Sequence, residues 1–333
     1  MRLINAYVGK HIFGILFVVI LFSCEKQVKN TKLSGGVFGT GYSIIYDSST
    51  DFSHQIDSLF YVINKSMSTY QQNSDISKVN RNEAVKVDAH FRHVFEASKI
   101  IYSETNGVFD PTIGAVVNAW DFGPEGKIVN LDSLKIDSLM HSVGFGKVKI
   151  VDSGIVKPKA TFIDFNAIAK GYGVDVIGAF LELQDIDNYL VEIGGEIRVK
   201  GINAEKNMPW KVGVENPNFD GKQSILMAIA LQDEAMATSG TYRKFKVDEN
   251  GNRYAHIIDT QTGYPSKTNL LSISVIAETC MVADAYATAF KAMGIEKIKL
   301  FLERHPELKV FLIFENEQKD IETLALNGFP EAS

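Results

Sequence analysis

The sequence predicts an α+β fold built mainly from antiparallel sheets with packed helices. Between residues 189 and 276, short apolar runs of strand length follow one another, and turn residues separate them. Helical periodicity dominates before this region and returns after it, without the regular strand–helix alternation of a parallel α/β fold. With 333 residues, 45% of them hydrophobic, the chain can bury a large core. A doubly wound dinucleotide-binding fold is therefore not the expected architecture.

The part of the chain before residue 189 is mainly helical in its pattern. Apolar residues recur at helical spacing from Ile56 to Met67, and Asp51 or Ser53 is the expected cap. Asp88 is expected to cap the next helix. The predicted elements are glycine-punctuated strands over 33–46, helices over 56–67, 89–104 and 131–141, short strands over 147–163, and a helix over 166–183.

Strand-like runs dominate from residue 189 to residue 276. The residues from Glu249 to Asn252 have the composition of a hairpin turn within this region. Apolar periodicity then changes back to that of a helix. The remaining predicted elements are helices over about 281–293 and 295–304, followed by strands near 309–314 and 319–325.

The N-terminus has the pattern of a targeting signal. Basic residues precede an apolar run over residues 12–22, which has the length of a signal-peptide core and is too short for a comfortable membrane span. The run ends in LFSC, which resembles a bacterial lipobox with Cys24 as the acylated residue. An uncleaved N-terminal anchor is the alternative, and both place the body outside the cytoplasm. The predicted organisation is a lipoprotein signal peptide over 1–23, a lipidated Cys24 and short tether over 24–32, and a single domain over 33–333.

Charge and cysteine content exclude several classes of protein. The net charge is −6, and no run of lysine or arginine is dense enough to predict nucleic-acid binding. After processing and acylation at Cys24, Cys280 would be the only free thiol, so no internal disulfide is expected. No Cys-x-x-Cys or Cys/His zinc pattern occurs.

The helix around residue 284 contains a possible cation site. Asp284 and Thr288 are four residues apart and therefore share a helix face, among small alanines. A carboxylate and a hydroxyl are oxygen ligands of the kind that Mg²⁺ prefers, and small neighbours leave room for a phosphate. The alternative is a buried hydrogen bond between Asp284 and Thr288 in an alanine-rich core helix.

A second segment, residues 162–173, joins a strand to a helix. A strand-like run ends at Asp164 and a helix is expected from about Asn166, so backbone N–H groups would point outward there. Lys170 could add positive charge toward a phosphate. In the alternative interpretation Asp164 is only an N-cap, Lys170 is solvated, and Gly171 and Gly173 serve packing.

His256 is the candidate titratable group of the C-terminal half. It stands at the end of a predicted strand, where an imidazole can face a cleft, although a structural histidine is the alternative. Ser239 and His256 together could suggest a hydrolase, but the GxSxG nucleophile pattern is absent.

Taken in order, these segments resemble the FAD:protein FMN transferase family, also called the ApbE family. The resemblance covers residues 36 to 315, and the family fold it implies is an α+β fold related to the T-fold. Phe38, Asn166 and Thr241 depart from the usual family residues, and Phe38 puts the shape of the pocket, rather than the activity, in doubt. The matching sequences are FGT (38–40), MSTY (67–70), NGVFDPTIG (106–114), WDFG (120–123), DFNAIAKGYGVD (164–175), IGGEI (193–197), TSGTYR (238–243), HIIDTQTGYP (256–265) and ADAYATAFKAMG (283–294).

The resemblance implies a role for each matching position. Mg²⁺ would be bound by the side chains of Asp284 and Thr288 and by the backbone carbonyl of Ala167. His256 would transfer a proton near the pyrophosphate, with Asp284 as the second catalytic residue. The positions implied for FAD are Phe38, Tyr70, Val108, Phe109, Asp110, Asp164, Lys170 and Ile258.

The activity implied by the resemblance is Mg²⁺-dependent transfer of FMN from FAD to a threonine hydroxyl of an acceptor flavoprotein, with release of AMP. The acceptor would be a subunit of a Na⁺-translocating quinone reductase or of an Rnf-type complex, or another exported flavoprotein. The enzyme would be lipid-anchored in a bacterial cell envelope, at the periplasmic face of the inner membrane. An Mg²⁺-dependent FAD pyrophosphatase and a non-catalytic, lipid-anchored flavin-binding protein remain as alternatives.

Overall fold

The structure, a computed structural model, describes residues 29–218, 222–240, 245–247 and 253–333. The predicted signal peptide, Cys24, Thr241 and the predicted 249–252 turn lie outside the described residues. Within them, no helix has both the length and the apolar character needed to cross a membrane.

The described strands form one large sheet and three small ones. All pairings within the large sheet are antiparallel, as the sequence predicts, in the order β1-β2-β5-β6-β10-β13-β14-β15. The small sheets are β7-β8-β9 and the hairpins β3-β4 and β11-β12. The strands are β1 (Thr31–Val37), β2 (Thr40–Tyr46), β3 (Lys149–Val151), β4 (Gly154–Val156), β5 (Tyr189–Ile193), β6 (Glu196–Lys200), β7 (Ile202–Asn203), β8 (Met208–Glu215), β9 (Ile225–Leu231), β10 (Ala235–Gly240), β11 (Phe245–Val247), β12 (Arg253–Ala255), β13 (Leu270–Ala277), β14 (Lys309–Glu315) and β15 (Ile321–Leu326).

Helices cover one face of the large sheet. α6 packs on β5 and β6, and α7 packs on β10 and β13, which leaves the two helices side by side. The other face is covered by the β7-β8-β9 sheet, whose Trp210 and Ile229 join a separate apolar cluster. The helices are α1 (Ser53–Met67), α2 (Asp75–Asn80), α3 (Ala89–Glu104), α4 (Gly114–Ala119), α5 (Ser133–Met140), α6 (Ala169–Glu182), α7 (Cys280–Met293) and α8 (Ile295–Leu302), with a 3₁₀ turn at Phe145–Lys147.

Helix starts show where the sequence interpretation succeeds and where it fails. Asp88 caps α3 as predicted, because its carboxylate accepts from the N–H of Phe91 at 2.9 Å. The predicted start of α6 at Asn166 is wrong by three residues. The carboxylate of Asp164 accepts from the N–H of Asn166 at 2.7 Å and closes a turn, so the helix begins only at Ala169.

Candidate active site

The centre of the site is the junction between α6 and α7. Gly171 permits their close approach, since a Cβ there would lie 2.3 Å from the carbonyl oxygen of Cys280. The Gly171 N–H donates to Oδ2 of Asp284 at 3.0 Å. Asp175, also on α6, accepts hydrogen bonds from the N–H groups of Cys280 and Met281 through its carboxylate and so anchors the start of α7. The segments 164–175 and 283–294, singled out separately in the sequence, therefore meet in space.

Asp284 is a buried carboxylate with acceptor capacity to spare. It is only 5% exposed, and the bond from Gly171 is its one hydrogen bond among the described residues. Burial raises the pKa of its carboxyl, although the Lys170 ammonium and the Gly171 N–H act in the opposite direction. No hydrogen bond joins Asp284 to Thr288 within the described part of the chain, so the purely structural interpretation of this pair is not supported.

Two further oxygens at the junction lack hydrogen-bond donors. In a continuous helix the Gly171 N–H would donate to the carbonyl of Ala167, but here it is taken by Asp284. Across the described ranges, no backbone N–H donates to the Ala167 carbonyl, and the hydroxyl of Thr288 has no hydrogen-bond partner. A carboxylate, a carbonyl and a hydroxyl are hard oxygen donors, and Mg²⁺ commonly takes few protein ligands and completes its shell with water or phosphate.

The donor set therefore fits Mg²⁺, but as a site with one carboxylate. The described residues contain no group of three or more His, Cys, Asp or Glu side chains placed to hold a metal. Bound there, the ion would depend on the Ala167 carbonyl, on Thr288 and on substrate phosphate for its remaining contacts.

Lys170 forms an ion pair with Glu196, and its ammonium also interacts with the charge of Asp284. The Lys170 side chain is 32% exposed, whereas that of Glu196 is 3% exposed. Burial by itself lowers the pKa of Lys170, but the carboxylates of Glu196 and Asp284 outweigh it, and the pKa is raised. The alternative in which Lys170 is simply solvated is therefore wrong. Glu196 belongs to the IGGEI motif but was assigned no role from sequence, because nothing local indicates its partner on α6.

Asp164 and Tyr70 form the outer part of the site. The Asp164 carboxylate accepts from the backbone N–H and the side-chain amide of Asn166, and that amide also reaches the hydroxyl of Thr69 at 3.4 Å. Burial raises the pKa of Asp164 to about 6. Tyr70 is 60% exposed, and burial together with the Asp164 charge raises the pKa of its hydroxyl. An exposed ring beside a carboxylate suits the predicted contact with a bound ligand.

The carboxylate of Asp110, unlike that of Asp284, has hydrogen bonds to both of its oxygens within the described part of the chain. Its Oδ1 accepts from the N–H and hydroxyl of Thr112 at 2.8 and 2.6 Å, and its Oδ2 accepts from the N–H of Phe145 at 3.2 Å. Phe109 is buried in the main core, and Val108 packs at the edge of that core. The contacts of these three residues with FAD stay a prediction. Their neighbour Pro111 accepts from the N–H of Asp164 at 2.8 Å, which ties this turn to the rest of the site.

His256 lies where two loop motifs pack together. Its ring centre is 6.2 Å from that of Phe122, and Lys246 of β11 lies 5.3 Å from the centre of the Phe122 ring. The indole N–H of Trp120 donates to the carbonyl of Gly263 at 2.9 Å. The WDFG and HIIDTQTGYP segments therefore form one surface, with the half-buried imidazole of His256 at its edge.

Phe38 and Ile258 are the two remaining predicted FAD contacts. Phe38 has a φ of 52°, and its ring occupies the space left by the missing side chain of Gly173. Ile258 is buried with Val116 and Val143 in a small apolar cluster, so its side chain faces protein. Its role in binding FAD stays a prediction.

Fold and site together define a class: an antiparallel α+β protein in which a helix junction offers hard oxygen donors suited to a divalent cation and phosphate. The sequence model of the ApbE family matches residues 38–312, and the chain belongs to this family.

Curated relatives and solved structures agree with this assignment. The chain is 35% identical over 331 residues to the FAD:protein FMN transferase of Haemophilus influenzae, covering 92% of this chain and 94% of the relative. It is 36% identical over 293 residues to that of Vibrio cholerae, covering 84% and 86%. Among structures, the flavin transferase ApbE from Vibrio cholerae has a TM-score of 0.80 at 33% identity, covering 89% of this chain and 97% of that chain. The apo flavinyl transferase ApbE of Pseudomonas stutzeri has a TM-score of 0.79 at 27% identity, with 89% and 94% coverage.

Proposed function

We propose that this protein is an FAD:protein FMN transferase that uses Mg²⁺ to transfer FMN from FAD to a threonine hydroxyl of an acceptor flavoprotein. The observation that carries the proposal is the α6–α7 junction, where Asp284 has acceptor capacity to spare. The Ala167 carbonyl, just before α6, and the Thr288 hydroxyl, one turn further along α7, also lack donors among the described residues. Its relatives named as FAD:protein FMN transferases support the reaction class. Subunits of Na⁺-translocating quinone reductases or Rnf-type complexes are the proposed acceptors.

The reaction is a substitution at phosphorus. The threonine oxygen of the acceptor forms a bond to the FMN-side phosphorus of FAD, the bond from that phosphorus to the bridging oxygen breaks, and AMP leaves with the electron pair. Bound Mg²⁺ would supply charge neutralisation at the pyrophosphate. Asp284, Thr288 and the Ala167 carbonyl would hold the ion, and the exposed Tyr70 would position the flavin. The imidazole of His256 would accept the proton of the threonine hydroxyl, a contribution of roughly 10²–10⁴-fold for a general base.

The decisive experiment incubates the full-length protein with FAD, Mg²⁺ and a candidate acceptor and measures the intact mass of the acceptor. A mass increase equal to FMN, absent without Mg²⁺ and absent from an acceptor whose target threonine is replaced by alanine, is the expected result. Free FMN and AMP with an unlabelled acceptor would instead favour an FAD pyrophosphatase. Intact FAD despite tight binding would favour a flavin-binding protein without turnover.

We also propose a lipid anchor at Cys24 and a location at the periplasmic face of the inner membrane. The proposal is supported by the LFSC sequence after an apolar run of signal-peptide length. Labelling of cells with a fatty-acid analogue is expected to mark the native chain and not a Cys24→Ser variant. Equal labelling of both would contradict the anchor.

A further inference from the structure

Glu196 is a second buried carboxylate at the α6–α7 junction. It follows Gly194 and Gly195, whose φ values of 64° and 103° make the tight turn between β5 and β6. This turn directs the Glu196 side chain into the protein, where it meets Lys170. One carboxylate oxygen pairs with the Lys170 ammonium, and the other, Oε2, is buried and has no hydrogen-bond partner in the part of the chain that the structure describes.

The Lys170 ammonium interacts with the charges of two carboxylates but forms an ion pair with one of them. The charges of Glu196 and Asp284 both act on its ammonium. Among the ion pairs of the described residues, however, Lys170 is joined to Glu196 and not to Asp284. Asp284 instead receives the Gly171 N–H, which leaves the rest of its carboxylate available.

Stability alone does not explain this arrangement. A buried ion pair gives little net stabilisation, because the desolvation of both charges offsets their attraction, and Glu196 in addition keeps one oxygen unpartnered. A cation near a metal ligand has a direct functional consequence, because an ammonium on that carboxylate competes with a metal ion for the same oxygens.

We propose that Glu196 is a positioning residue that holds the Lys170 ammonium off Asp284 and so keeps this carboxylate available for a divalent cation. The inference rests on the Mg²⁺ dependence in the proposed function. Without Glu196, the partly buried ammonium of Lys170 has Asp284 as its remaining nearby carboxylate, and pairing with it closes the cation site. Glu196 thus acts through Lys170 and needs no contact with the metal.

The test measures metal binding to the full-length protein without FAD. Mn²⁺ takes the same oxygen ligands as Mg²⁺, its free form is quantified by electron paramagnetic resonance, and Mg²⁺ is then used to displace it. Glu196→Gln is expected to weaken Mn²⁺ binding by about 10- to 100-fold, the usual effect of losing a residue that supports a metal ligand. Lys170→Gln is expected to bind Mn²⁺ at least as tightly as the native protein. The double variant is expected to recover native affinity, because no ammonium is left to occupy Asp284.

Recovery in the double variant separates this role from a structural one. A Glu196→Gln/Lys170→Gln variant that binds as weakly as Glu196→Gln would overturn the inference, as would unchanged binding in Glu196→Gln alone. If Glu196→Gln does not fold, Lys170→Gln still tests the inference. Weaker Mn²⁺ binding in that variant would contradict competition between the Lys170 ammonium and the metal ion for Asp284.

Glu182→Gln is the matched control. It removes an ion pair between α6 and Arg198 but involves neither Lys170 nor Asp284, so Mn²⁺ affinity is expected to stay native. Failure of the native protein to bind Mn²⁺ at all would contradict the metal dependence of the proposed function. Native binding with unaffected variants would contradict only the role of Glu196.

Discussion

Asp110 and Asp284 are two aspartates buried to a similar extent, 7% and 5% exposed, in different parts of the candidate site. Burial raises the pKa of both carboxyl groups. Among the described residues, Asp110 accepts three hydrogen bonds from Thr112 and Phe145, whereas Asp284 accepts one, from Gly171. A buried carboxylate satisfied by its own surroundings supports the fold, and one with remaining acceptor capacity is suited to bind a ligand. Burial and pKa alone do not distinguish the two.

The largest expected effect is on Asp284. Asp284→Asn keeps an oxygen for the Gly171 N–H but removes the negative charge offered to the cation, so FMN transfer is expected to fall by at least about 10³-fold, or roughly 4 kcal/mol of transition-state stabilisation. Transfer is measured by acceptor mass. The free energy of unfolding, from urea denaturation, is expected to stay within about 1 kcal/mol of the native value. Unchanged Mg²⁺-dependent transfer in the folded variant would falsify the assignment.

At Asp110 a loss of stability is the expected main effect. Asp110→Ala leaves the N–H groups of Thr112 and Phe145 without their acceptor, and the free energy of unfolding should drop by about 2–4 kcal/mol. Urea denaturation measures the loss, and Asp110→Asn, which keeps one acceptor oxygen, should lose less. Native stability combined with lost FAD binding would show that Asp110 serves the ligand, as the family resemblance implies.

Gly171 tests whether the spare capacity of Asp284 depends on close helix packing. In Gly171→Ala the new Cβ would lie 2.3 Å from the Cys280 carbonyl oxygen, so α6 and α7 must move apart. The free energy of unfolding is expected to fall by about 1–3 kcal/mol. Mn²⁺ binding should weaken with it. Gly173→Ala is the control on the same helix, because its Cβ would meet the Phe38 side chain, which can move. The losses of stability and of Mn²⁺ affinity should therefore be smaller than in Gly171→Ala. Equal losses in both variants would contradict a special role for Gly171.

Asp164 gives the smallest expected effect. Its pKa, raised by burial from 3.8 to about 6, means that the folded state holds its proton more tightly than the unfolded state. Stability from this group is therefore present below about pH 4 and is lost as pH rises to about 6. Relative to the native protein, Asp164→Asn should gain about 1–2 kcal/mol of unfolding free energy between pH 4 and pH 7. Denaturation curves at several pH values measure this difference, and a pH-independent difference would contradict the raised pKa.

Local patterns predict much of this fold. The antiparallel sheet, α3 with its Asp88 cap and the position of α7 are confirmed, because alternation, helical periodicity and capping residues act over a few neighbouring residues. The six-residue helices α2 and α4 were not predicted, since they are too short to show two turns of apolar periodicity. The predicted start of α6 failed because a side-chain turn at Asp164 competes with the helix.

Sequence patterns alone place Asp284 and Thr288 on one helix face, indicate a second polar segment near Asp164 and show that the segments together resemble one family. Which carboxylates have their hydrogen bonds satisfied depends on contacts between distant parts of the chain. The bonds of Asp110 come from Thr112 and from Phe145, 35 residues away along the chain, and the neighbours of Asp284 are Gly171 and Lys170 on another helix. Hydrogen bonds and ion pairs between distant residues form only where packing brings them together, so which buried carboxylate keeps spare acceptor capacity is a property of the folded chain.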